Sequence, residues 1–231
     1  MRTLYAFSIR FSEASRLTCS IQDINTPETT DTGNIHGMPL AFLLGLVKNS
    51  AEVPGFAWLK EKWIKPEKLV YIGLRDVDKG ERRLLKENNI KCFSMHDVDK
   101  LGIQKVVEMA IDHVSPNGDT PIHLSYDVDA LDPSFTPSTG SSLPLPFFFG
   151  SNETTHPRSG TPVPGGLTYR EGRYIAECIH ATGAMVSMDL VEVNPTLGSS
   201  PDATVRIGCS LIRSALGETL LELSAADLQK A

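Results

Sequence analysis

Paired cysteines, long apolar runs and basic clusters are all missing from this chain of 231 residues. Its four cysteines, Cys19, Cys92, Cys178 and Cys209, stand far apart with no C-x-x-C pair. That excludes a zinc ribbon and a disulfide framework, and reads as free thiols in a reducing compartment. No apolar run approaches the ~20 residues a transmembrane helix needs, so no membrane partner is expected. Lysine and arginine total 22 against 28 acids, a net charge of -6 without a basic run. This excludes an ordinary nucleic-acid surface. A secretory signal is unexpected, because the first residues lack a long apolar stretch. Arg2, Arg10 and Arg16 against the single acid Glu13 give them a weak transit-peptide composition. The expected compartment is therefore cytoplasmic, with the mitochondrion as the alternative. Asn152-Glu153-Thr154 matches a glycosylation acceptor and, without a secretion signal, reads as chance. There are no internal repeats.

What is present is ordinary globular material, 41 % hydrophobic and 22 % charged, enough for one α/β domain. "KLVYIGL", "IKCFSM", "PIHLSYD" and "AMVSMDLVEV" read as strands. They alternate with helices in "ERRLLKENN", "DKLGIQKVVEMAIDHV", "TYREGRYIAECIHATG" and "PDATVRIGCSLIRSALG". Asp99 is the expected N-cap of the second helix and Gly183 the glycine closing the third. Such alternation predicts a parallel sheet with helices on both faces, and chemistry in the loops after the strands. Those loops read "LRDVDKGE", "SYDVDALDP" and "SMDLVEVNP", each opening on acids.

Asp127 and Asp129 are two residues apart, a spacing that puts side chains on one face of a strand. Two such carboxylates repel each other and suit a hard divalent cation. A solvated acid beside a turn cap is the plainer reading, and a nucleotide-sugar D-x-D site remains open on spacing alone. An EF-hand is excluded, since Asp132 stands where that loop needs glycine. His123 is ~13 Å along the strand from Asp127, and reads as a satisfied core histidine. Asp132-Pro133 reads as a turn. His36, between Gly33 and Gly37, is a loop histidine able to transfer protons. Asp23 and Asn25 add polar groups to that loop. Glu192 is either a solvated strand-end acid or a functional one.

The segments "DINTPETTDTGNIHGMPLAFLL", "YIGLRDVDKGE", "FSMHDVDKLGIQKVVE", "PIHLSYDVDALDPSFTPSTG", "TPVPGGLTYREG" and "MDLVEVNPTLG" closely resemble animal arginases, in the same order, from Asp23 to about Ser200. The resemblance implies a three-layer α/β/α fold with a mainly parallel sheet, assembled as trimers. It implies hydrolysis of L-arginine to L-ornithine and urea by a hydroxide bridging two Mn²⁺ ions. By motif, Asp23, Asp127 and Asp129 correspond to metal ligands, Asp127 bridging. His36 corresponds to the proton shuttle and Glu192 to the carboxylate facing the guanidinium. Asn25, Thr32 and Asn34 correspond to contacts of the substrate α-carboxylate. Asp78 corresponds to the partner of the α-amino group, Glu81 joins it through water, and Thr161 lies on the guanidinium side.

The chain also departs from that pattern. Cys19, Ser20, Ile21 and Gln22 precede Asp23, where the family has a D-A-H-x-D motif, and the G-G-x-H motif is missing. Of six expected ligands, three remain, none of them an imidazole. One weakly held Mn²⁺ is expected. Residues 1–22 are atypical, and 23–231 form a partial arginase-like domain. Ser141–Gly160, with Pro144, Pro146 and three successive phenylalanines, is an irregular insert within it. With the insert excised, Gly165 stands where the family has a glycine. "RLTCSIQ" alternates as a strand, and an incomplete sheet with an apolar edge is expected to associate. Three functions follow: an arginase; a catalytically inactive variant acting as an interaction partner or non-functional isoform; and a ureohydrolase of another guanidino compound such as agmatine.

Overall fold

The computed structural model describes residues 15–19, 24–30, 33, 35–59, 62–139, 163–197 and 201–219. Five strands, β1 (Ser15–Cys19), β2 (Leu69–Leu74), β3 (Lys91–Ser94), β4 (Ile122–Asp127) and β5 (Met185–Val191), form one sheet in the order β3-β2-β1-β4-β5. Every pairing is parallel. Six α-helices accompany them among the described residues: α1 (Pro39–Leu43), α2 (Lys79–Glu87), α3 (Met95–Leu101), α4 (Ile103–Val114), α5 (Tyr169–Ala181) and α6 (Pro201–Ala215). The expected α/β class holds, and Ser15–Cys19, which overlaps the start of "RLTCSIQ", supplies the middle strand.

Alternation along the strands sorts the two faces of the sheet. Leu17, Val70, Ile72 and Leu124 pack with Val106, Ile175 and Leu211, which come from α4, α5 and α6. On the other face Leu69 and Tyr71 pack with Ile24, Leu40, Leu44 and Leu85. A smaller cluster of Met38, Phe42, Val47 and Leu59 extends that second layer, with the Phe42 and Phe56 rings stacked at 3.9 Å. β2 is buried throughout, as a parallel strand covered on both faces should be. β5 ends the described sheet and is only half covered, leaving Val186 62 % and Val191 40 % exposed.

One helix expectation is corrected. Asp99 does not open a helix; it lies inside α3. The start is Ser94, whose hydroxyl accepts from the Asp97 amide while the Asp97 carboxylate accepts from the Ser94 amide. This reciprocal cap outweighs the weaker signal at Asp99. Gly102, at φ +78°, then breaks the run, so the single expected helix is two, α3 and α4. Gly183 does close α5, at φ +66°.

The chain order runs β1 to β2 to β3 toward one side, then β4 to β5 toward the other. The reversal falls between β1 and β4, and in an open parallel sheet this is where a crevice forms beyond the strand ends. The loop after β4 is closed from outside by residues 163–167. The Leu167 amide donates to the Ala130 carbonyl at 3.0 Å, and the Asp132 amide to the Leu167 carbonyl at 2.9 Å. The Asp132 carboxylate accepts from the Ser134 hydroxyl and amide, and from the Gly165 and Gly166 amides at 2.8 and 3.3 Å. Ser134 above all, then the two glycine amides, hold its carboxyl at about 2 against an ordinary 3.8.

Two outcomes follow from this junction. A Cβ on Gly166 would meet the Asp132 nitrogen and the Leu131 carbonyl carbon, both at 2.6 Å. Gly166→Ala is therefore expected to cost about 1–3 kcal/mol, read as a lowered midpoint in urea. Because the Asp132 carboxyl is depressed in the folded state, its stabilisation is complete above the ordinary carboxylate value and is lost as pH falls through about 2. Asp132→Asn should thus destabilise at about pH 6, by under about 1 kcal/mol at this partly exposed site. Its deficit should shrink toward about pH 2. A pH-independent difference between the two urea midpoints would show that the charge is not the cause.

Candidate active site

The D-x-D pair is assembled differently from the expectation. β4 ends at Asp127, and Asp129 lies in a 3₁₀ turn, Val128–Ala130. The two acids do not share a strand face. They are drawn together because the Asp129 amide donates to Asp127 Oδ1 at 3.0 Å, so that Asp127 caps the turn. A short polar side chain at a strand end competes well for the next free amide, and this local bond ends the strand. Asp127 is buried. Asp129 Oδ1 is buried with no hydrogen-bond partner among the described residues. Burial pushes the Asp129 carboxyl above its ordinary value, against the opposing effects of Asp127 and the Arg75 guanidinium.

Behind Asp127 the same face of β4 and β5 is polar. His123 and Ser125 alternate with Asp127 on β4, and pair in register with Ser187 and Asp189 of β5. His123 Nδ1 lies 2.8 Å from the Ser187 hydroxyl and Nε2 2.8 Å from Asp189 Oδ2. The Ser125 hydroxyl donates to Asp189 Oδ1 at 2.7 Å. His123 is thus the satisfied core histidine expected of it, 3 % exposed.

A second polar group gathers at the end of β2. Asp78 caps α2, taking the Glu81 amide at 2.9 Å, while Glu81 accepts from the Asp78 amide at 3.3 Å. Asn25 reaches in from the loop after β1 and donates to Asp78 Oδ2 at 2.6 Å. Thr29 donates to Asn25 Oδ1 at 2.8 Å, which fixes the amide orientation. Glu81 is fully buried and also accepts the Ile24 amide at 3.4 Å, so its carboxylate is engaged by backbone. Gly80 is needed here, since a Cβ would strike Thr29 at 2.8 Å.

His36 lies in the 3₁₀ helix Ile35–Gly37, and its side chain is outside the described part. The Asn25 amide donates to the Gly37 carbonyl at 3.0 Å, tying that helix to the Asn25 loop. Glu192 directly follows β5 at φ +63°, a left-handed conformation that strains a residue with a Cβ. Asp23, Thr32, Asn34 and Thr161 lie outside the described residues. Asn25, Asp78 and Glu81 are therefore brought together, as are Asp127 and Asp129. His36 follows Asn25 in the connection after β1, and Glu192 follows β5.

Two participants were missed in the sequence. Asp189 was readable in principle, because His123 and Ser125 on β4 and Ser187 and Asp189 on β5 all alternate at period two. Arg75 carried no local signal; its partners are backbone carbonyls 54 to 88 residues away.

The donors fit a hard divalent cation in kind. Asp129 Oδ1 is a buried carboxylate oxygen beside a second buried carboxylate, and oxygen donors of this charge suit Mg²⁺ or Mn²⁺. No group of three or more His, Cys, Asp or Glu side chains placed to hold a metal occurs among the described residues.

Comparison with known proteins finds relatives of this chain in sequence and in fold. The family model described as "Arginase family" matches residues 22–145 and 153–217. An arginase of Coccidioides immitis is 60 % identical over 201 residues, 86 % of this chain and 55 % of that protein. The mitochondrial arginase-2 of Rattus norvegicus is 47 % identical over 201 residues, 85 % of this chain and 51 % of its own. The crystal structure of a cold-adapted arginase from the psychrophilic yeast Glaciozyma antarctica superposes with a TM-score of 0.70 at 48 % identity, covering 91 % of this chain and 63 % of that one. Arginase from Bacillus subtilis superposes with a TM-score of 0.77 at 36 % identity, covering 95 % and 68 %. The chain spans about half the length of the curated relatives it matches.

Proposed function

The chain belongs to the arginase family, and from that premise we propose that its strand-end crevice is built for L-arginine, hydrolysed to L-ornithine and urea. The observation that carries this reading is Asp129 Oδ1, a buried carboxylate oxygen without a partner among the described residues, at the switch point of the sheet. Asp127 and Asp129, together with Asp23, would hold Mn²⁺. When bound, such an ion lowers the pKa of water so that hydroxide is available at neutral pH. Three carboxylates in place of six ligands support a single, weakly held ion.

The other residues act on the substrate. Asn25, Thr32 and Asn34 receive the α-carboxylate. Asp78 receives the α-amino group, its carboxylate oriented by Asn25 and the Glu81 amide. Glu81 acts through Asp78, as its own burial and backbone bonds require. Glu192 faces the guanidinium, with Thr161 on the same side, and His36 delivers the proton with which the ornithine amine departs. A site that gathers groups for both a carboxylate and an amine suits an amino acid and argues against agmatine.

Ser141–Gly160 is an insert on this reading. Its support is its composition, with Pro144, Pro146 and three successive phenylalanines and neither strand nor helix period. We place the protein in the cytoplasm, or else in the mitochondrion, as a homo-oligomer on the trimeric pattern of the family. No helix among the described residues is long and apolar enough to cross a membrane. A second reading, an inactive form that associates with intact arginase chains, is favoured by the half-covered β5 with Val186 and Val191 exposed.

Purified chain supplied with Mn²⁺ and L-arginine should release urea, and His36→Asn and Glu192→Gln should each abolish the release. Urea output from the parent no greater than that of either variant would select the inactive form. Uptake of two Mn²⁺ per chain in a binding titration would overturn the single-ion site.

A further inference from the structure

Arg75 follows β2 directly, yet its side chain serves the loop after β4. Nη2 donates to the Asp129 carbonyl at 2.6 Å and to the Leu131 carbonyl at 3.4 Å; Nη1 donates to the Ala130 carbonyl at 3.2 Å. Nε donates to the Val163 carbonyl at 2.9 Å. β1 stands between β2 and β4, so the guanidinium reaches over the carboxyl end of the middle strand. It satisfies three successive carbonyls of the turn that carries Asp129. It also anchors the chain where that chain returns to cover the turn.

Two effects of this guanidinium on a cation at Asp127 and Asp129 have opposite signs. Its positive charge repels an incoming cation, so charge alone weakens binding. Its rigid fork fixes the backbone from which Asp129 Oδ1 is presented, which strengthens binding through pre-organisation. The geometry favours the second. The polar contacts go to carbonyl oxygens on two segments, a pattern that a single lysine ammonium cannot reproduce.

We propose that Arg75 is the positioning residue of the cation site, setting its affinity by holding the Asp129–Leu131 backbone and locking Val163 onto the same turn. This rests on the reading of Asp127 and Asp129 as cation donors. The test is a Mn²⁺ titration of the full chain, followed by the electron paramagnetic resonance of the free ion. The parent, Arg75→Lys and Arg75→Gln are compared without arginine, well below their melting temperatures. Both variants should bind more weakly by roughly 10- to 100-fold, as for other residues that orient a ligand. Amide exchange at Asp129, Leu131 and Leu167 should quicken while that of β2 stays as it was. Either variant binding within about threefold of the parent, or tighter, overturns the proposal, because charge rather than position would then govern affinity. If the parent itself takes up no Mn²⁺, the cation reading fails separately. Amide exchange then decides alone: unchanged protection at Asp129, Leu131 and Leu167 overturns the positioning role.

Discussion

Two carboxylates cannot be held close together for nothing, and the pair after β4 is the constraint around which its surroundings are arranged. Asp127 gives one oxygen to the Asp129 amide. That bond ends the strand, starts the 3₁₀ turn and brings the second carboxylate alongside the first. The turn leaves its own carbonyls pointing outward, where Arg75 takes them. The same guanidinium lends positive charge to a region crowded with acids. Residues 163–167 then seal the outside of the turn through Asp132 and Leu167.

Much of this fold is legible in the sequence, because parallel strands are apolar runs and their helices are periodic. Leu69–Leu74 and Ile122–Asp127 could be read almost to the residue. The failures share a cause. Asp99 looked like a cap, but the reciprocal bond between Ser94 and Asp97 began the helix earlier. Asp127 and Asp129 looked like neighbours on one strand face, but a side-chain bond to backbone ended the strand between them. In both cases a short polar side chain capturing a nearby amide overrode the periodicity on which the expectation stood.

Arg75, and the cross-strand partners of Asp189, were hidden for a different reason. Neither Arg75 nor Asp189 stands out locally: one is a single arginine after a strand, the other an acid in a strand that reads as apolar. Their roles arise only when β2 and β5 are brought beside β1 and β4. Strand order is a non-local property, and one chain's sequence says little about it. Glu192 lies between these cases. Its position after a strand was visible, whereas its left-handed backbone was not.

The acids at the strand ends can then be sorted by what the protein already does with them. Asp78, Glu81, Asp97 and Asp132 are engaged by backbone amides, and each holds a loop or helix start in place. Such carboxylates give part of their acceptor capacity to the fold. Asp127 is divided, with one oxygen capping the turn. Asp129 is the exception: its amide and its carbonyl are both spoken for, while Oδ1 is buried without a partner among the described residues. A buried carboxylate oxygen left this way costs stability unless something outside the protein completes it. The backbone of Asp129 is thus committed to structure, and on the proposed function its side chain is kept for a cation.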